Sequence, residues 1–203
     1  MISKSSVKTI CNKKDILLNL NNENKVYSIN FDCKINNLEF KKIFDFNIYH
    51  ILFEINKDLI EDIKILKQYD DNNIDLIIVF KKLNSNTVVN NNLNLPVFYI
   101  YVNVNKSLEN NKIVFTSEDH KNNLSNEIIN ICNIDNIENC ERLFCEHSEL
   151  IITQNQHTSD INVNYNFKFF YINNSSTFFM NFIALLIKKV FYKLKLFIDN
   201  QNI

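Results

Sequence analysis

Not one of the 203 residues is glycine, and Pro96 is the only proline. That absence restricts what the backbone can do. Loops that cradle phosphate need glycine where the main chain approaches the ligand or takes a positive φ. The chain accordingly has no G-x-G-x-x-G, no Walker loop and no nucleophile elbow. Its turns fall to asparagine, which tolerates the left-handed region better than most residues, and about one residue in five is Asn. Asn21-Asn22, Asn72-Asn73, Asn110-Asn111 and Asn173-Asn174 sit where apolar runs break, and each predicts a turn.

Between these turns the apolar pattern predicts mostly strands. Asp15–Leu20 and Lys25–Cys33 read as a pair, with Tyr27, Ile29, Phe31 and Cys33 alternating onto one buried face. Phe44–Ile55 reads as a long strand. Lys57–Tyr69 reads as an amphipathic helix, because Leu59, Ile60, Ile63 and Leu66 recur every three to four residues. Asp75–Lys82 is a short buried strand and Asn84–Asn94 a polar loop. Pro96–Val104 and Lys112–Ser117 form a hairpin, and Asn122–Cys145 has an interrupted helical period. Glu149–Gln154 and Ile161–Ile172 form a second hairpin. Thr177–Asp199 is the clearest helix, capped by Ser175 or Ser176, with Phe179, Phe182, Ile183, Leu186, Val190, Leu194 and Phe197 on one broad face. The expected fold is α+β: antiparallel sheets packed on helices, arranged as two similar α/β subdomains (1–90 and 91–203), with a long C-terminal amphipathic helix.

Several function classes fall away. A net charge of −1 gives no electrostatic footprint for nucleic acid. No apolar leader follows Met1, so the expected setting is the cytoplasm, with the nucleus also open and the five cysteines reduced. Cys132, Cys140, Cys145 and His147 offer zinc's preferred ligand types, but C-x7-C-x4-C-x-H brings no two ligands from one tight turn, and no metal is assigned. No base and nucleophile stand at a meaningful spacing, so no catalytic residue and no cofactor are expected. His50, within an apolar run, reads as a packed or strand-edge histidine. The apolar stretch Phe178–Ile187 is too short to span a bilayer, which takes about 20 residues.

Three segments carry a likeness to a known family. FDFNIYHI (Phe44–Ile51) resembles a Tyr-His strand of the p34 subunit, subunit 2, of the actin-branching Arp2/3 complex. HILFEINKDLIEDIKILKQYDDNNIDLIIVFKKL (His50–Leu83) is similar to its strand–helix–strand run, and Leu143–Ile198 to its closing hairpin and long helix. Subunit 4 is similar too. The resemblance implies a non-enzymatic scaffold subunit, associated with the cytoskeleton. Its partners would be a subunit 4-like protein, actin-related proteins and the actin filament. Phe191, Leu194, Phe197 and Ile198 would form the partner interface, and Lys188, Lys189, Lys193 and Lys195 a basic contact face. Two other readings stand beside it. One is a curved sheet folded over the C-terminal helix around a hydrophobic ligand. The other is a peripheral membrane protein that uses its basic final helix.

Overall fold

The computed structural model describes residues 6–34, 45–82, 96–121, 140–155, 160–173 and 176–200. Ten strands make one sheet: β1 (Val7–Lys13), β2 (Ile16–Asn21), β3 (Tyr27–Lys34), β4 (Ile60–Asp70), β5 (Asn73–Phe80), β6 (Val97–Glu109), β7 (Lys112–Asp119), β8 (Cys140–Arg142), β9 (Phe144–Gln154) and β10 (Asp160–Phe170). The order across it is β1-β2-β3-β10-β9-β7-β6-β5-β4, all antiparallel, with short β8 lying parallel to the start of β6. Two helices complete the described fold, α1 (Asn47–Ile55) and α2 (Thr177–Asn200). The α+β class and the long C-terminal helix are as the sequence predicts. The suggested division near Asn84–Asn94 falls on residues outside those described, and strands from both sides of it share the one sheet.

Turn chemistry follows from the missing glycine. Lys14 and Asp15 both take φ of 58° between β1 and β2, Lys25 takes 60° before β3, and Asn110 takes 52° between β6 and β7. Paired positive φ values give the turn whose twist matches a two-residue hairpin. Asparagine and aspartate side chains brace other corners: Asn21 Oδ1 accepts from the Glu23 amide and Asp70 Oδ1 from the Asn72 amide. On the sheet's outer face, asparagines bond across strands, as Asn162 does to Asp32 and Asn103 to Asn73.

One apolar core runs from Ile16 and Leu18 on β2, through β3, β10 and β9, to Ile60 on β4, with α2 at its centre. α2 lies closest to β2, β3 and α1, and the core continues from there across the sheet to β4. The helix buries a face that includes Phe182, Ile183, Leu186, Val190, Leu194 and Ile198. Ser176 caps it, its Oγ accepting the Phe179 amide at 3.2 Å. Ser176→Ala is expected to lower unfolding free energy by about 1 kcal/mol, measured by urea titration.

Two elements differ from their sequence reading. Phe44–Ile55, expected as a strand, contributes α1. Ile48, Tyr49 and Leu52 are buried, and Ile51, Phe53 and Ile55 are half-buried against the core. The segment's apolar residues include Ile, Tyr and Phe, which also favour strands, and the exposed Asn47, His50 and Glu54 at i, i+3 and i+7 were the helical signal. Lys57–Tyr69, expected as a helix, is mostly β4, whose pairing with β5 shifts register at three places. Each shift breaks the two-residue alternation, and the apolar positions fall at helix-like intervals. Asn56 ends α1, its Nδ2 donating to Leu52 O at 2.9 Å and towards Val190 O on α2. The interrupted helical segment Asn122–Cys145 lies largely outside the described residues. Its end is β8 and the start of β9.

Candidate functional site

Where α2 crosses the concave face, the two surfaces do not fully meet. A cavity of about 70 Å³ remains between them. Its roof is Ile187, Val190 and Phe191 of α2, and one flank is Tyr49 and Leu52 of α1. The sheet supplies the remainder, including Ile60, Leu76, Ile100 and Val102 on one side and Leu150 and Phe169 on the other. None of the described lining residues is charged.

The polar atoms collect at one place on the floor. Ser117 of β7 and Ser148 of β9 are direct register partners, and both are buried. Tyr49 reaches this point from α1 and shares a hydrogen bond with Ser117, while Tyr165 of β10 shares one with Ser148. The Cys145 thiol lies 3.7 Å from Ser117 O. Tyr49 is buried and Tyr165 partly so, and desolvation drives each phenol's pKa well above the ordinary tyrosine value. Burial likewise pushes the Cys145 thiol up to about 12. All five groups are therefore neutral over the physiological range: hydroxyls and a thiol, with no ionic member.

These shifts carry a pH dependence. Cys33, Cys145 and Tyr27 are each raised to about 12 by burial, from ordinary values of 9.0 for the thiols and 10.0 for the phenol. A folded-state pKa above the unfolded one means stability is complete below the unfolded value. It is lost as pH climbs towards the folded value, because only the unfolded chain gives up its protons there. The melting temperature is expected to hold from pH 7 to about 9 and then fall steeply to pH 11. Each such group costs about 1.4 kcal/mol per pH unit within its window. Thermal melts across that range check it.

Tyr49 and Ile63 also line a groove of about 690 Å³ on their other side, where it is bordered by His50, Lys64, Gln68 and the Asp45–Lys106 ion pair at 2.8 Å. These two side chains are shared by groove and cavity, and form the partition between them. His50 is exposed in this groove, away from the cavity floor.

The residues singled out in the sequence scatter differently. Phe191 lines the cavity, and Leu194 and Ile198 are fully buried against the chain's own sheet, with Phe197 half-buried beside them. The lysines turn back on the body of the protein. Lys188 donates to Lys13 O, Lys193 pairs with Asp58, and Lys195 binds Asp199 and Asp32 O, while Lys189 acts on Asp58 through space. Of the zinc candidates, Cys132 lies outside the described residues. Cys145 faces the core and His147 is exposed, across an irregularity in the β9–β10 register. No group of metal-ligating side chains gathers among the described residues. No described helix is long and apolar enough to cross a membrane. Sequence reading missed Tyr49, Ser117, Ser148 and Tyr165 as a group. The signal was small polar residues on the buried face of strands otherwise lined by Ile, Leu and Phe.

A long helix laid in a curved antiparallel sheet, over an apolar cavity with a small neutral polar patch, is the architecture this chain defines. Three solved human structures share its fold. The lipid transfer and protein localization domain of StarD13 (DLC2) aligns with a TM-score of 0.63 at 8% identity, covering 94% of this chain and 89% of that one. STARD10 aligns at 0.64 and 9%, covering 96% and 75%. StAR-related lipid transfer protein 5 aligns at 0.60 and 7%, covering 97% and 89%. No family model matches the sequence, and no curated protein does. At such identities the likeness establishes the fold.

It also overturns the likeness to the Arp2/3 p34 subunit. The scaffold role, the cytoskeletal assignment, and the subunit 4-like, actin-related and actin filament partners drawn from that likeness go with it. The physical reason is local. The FDFNIYHI string that suggested a strand contributes to α1, and the run expected as the helix after it is β4. Apolar pattern alone had matched the wrong elements.

Proposed function

We propose that this chain binds a hydrophobic small molecule between the concave sheet and α2, and holds it without chemical conversion. The observation that carries the reading is the uncharged, apolar-lined cavity under a helix that meets the sheet through side-chain packing. The shared fold with domains titled for lipid transfer supports it. Polar groups able to orient a ligand are present, whereas among the described lining residues no base stands beside an activated nucleophile: the Cys145 thiol is held neutral.

The cavity of about 70 Å³ is smaller than the several hundred Å³ a lipid-sized ligand fills. Loading therefore requires a wall to give way, either α2 or the Tyr49–Ile63 partition. A direct test titrates the purified chain with diphenylhexatriene, an uncharged hydrocarbon fluorophore. One-to-one binding with a large rise in emission is expected. In Val102→Phe the added ring occupies the void, and affinity should fall at least about tenfold while the melting temperature is kept or raised. A wild-type chain that leaves the dye dark, or a Val102→Phe variant that binds equally well, refutes the cavity as the site.

A further inference from the structure

We infer that the ligand is a neutral lipid with a hydroxyl group, and that this hydroxyl docks on the floor cluster of Tyr49, Ser117, Ser148 and Tyr165. The inference rests on the cavity being the binding site and goes on to name the chemistry of its occupant.

Exclusion of charge is the first part of the argument. The described lining holds no Lys, Arg, His, Asp or Glu. A carboxylate or phosphate brought into that space meets no cation and loses its hydration, a cost far larger than any contact it gains. The nearby lysines are committed elsewhere, Lys106 to Asp45 and Lys193 to Asp58.

The second part is complementarity. Four hydroxyls from four separate elements converge on one patch of an otherwise apolar wall. Each hydroxyl has one donor and two acceptor sites, and the Tyr49–Ser117 and Tyr165–Ser148 bonds use only part of that capacity. A ligand hydroxyl both donates and accepts, so it can join either pair without breaking it. A pure hydrocarbon pressed onto the patch leaves the remaining sites unmet. The apolar body of the ligand then lies along Leu76, Ile100, Val102 and Leu150 under α2.

The experiment displaces bound diphenylhexatriene with three ten-carbon competitors at pH 7.5: decan-1-ol, decane and decanoate. Decanol should displace the dye at a concentration about tenfold below decane and at least about a hundredfold below decanoate. In the variant that removes both pairs, Tyr49→Phe, Ser117→Ala, Ser148→Ala and Tyr165→Phe, the decanol-to-decane ratio should collapse to about one. The ratio compares two ligands on the same protein, so a general loosening of the fold leaves it unchanged. Decanoate competing as well as decanol, or a quadruple variant that keeps the tenfold preference, overturns the inference while leaving the cavity as the site. Failure of the dye to bind the wild-type chain at all removes the site and this inference with it.

Discussion

Leu194→Asp is expected to leave no folded protein at 25 °C. Leu194 is completely buried on the sheet-facing side of α2 within this single chain. Deleting a buried leucine side chain costs about 2–5 kcal/mol, and desolvating a carboxylate in its place adds several more. Against a total stability of about 5–15 kcal/mol, that sum removes most or all of it. The companion change Leu196→Asp falls on the exposed side of the same helix, where Leu196 is 39% exposed. It should shift stability by no more than about 0.5 kcal/mol. Circular dichroism melts separate the two. The pair also discriminates between roles for α2, since a leucine held in reserve for a partner subunit would tolerate aspartate in the isolated chain. A cooperative Leu194→Asp melt within a few degrees of wild type would mean that α2 is not seated on the sheet.

Phe167→Ala carries the next largest effect. Phe167 is almost fully buried on β10, directly opposite Tyr27 of β3, with ring centroids 5.6 Å apart. Its ring also lies 5.1 Å from that of Tyr165 and 5.3 Å from that of Phe169. Truncating a buried phenylalanine costs about 3–5 kcal/mol. Cross-strand aromatic pairing supplies part of that and is lost with the ring. Phe167→Leu should cost roughly half as much, because the volume is partly kept. Urea unfolding with an unchanged m-value is the check. A loss below about 1 kcal/mol for the alanine variant would show that the β3–β10 junction does not hold the sheet together.

The sequence made much of this architecture legible, and the exceptions have physical causes. Strands with one face buried alternate cleanly, as Tyr27, Ile29, Phe31 and Cys33 do on β3, and their periodicity survives into the structure. The hairpins β6–β7 and β9–β10 were readable for the same reason, and α2 because its wide apolar face repeats over many turns. The exchange of identity at α1 and β4 has two causes. The apolar residues of α1 include types that also favour strands, and the alternation of β4 is broken by register shifts. The cavity was less accessible still. Ser117 and Ser148 acquire meaning only when the strands that carry them become neighbours. Tyr49 joins them only because its segment is helical and approaches from outside the sheet. No local window contains that juxtaposition.

Strands β1 and β4 stand at the two margins of the described sheet, and each leaves one row of main-chain amides and carbonyls without a strand neighbour among the described residues. Such margins are templates on which another molecule can add a strand and begin a fibre. Here Lys8 and Lys13 punctuate one margin and Lys64 and Lys67 the other, and the second is also bent by its three irregularities. A straight, uncharged partner strand finds no long run to zip against. The features that disguised β4 as a helix thus also guard the protein against self-polymerisation.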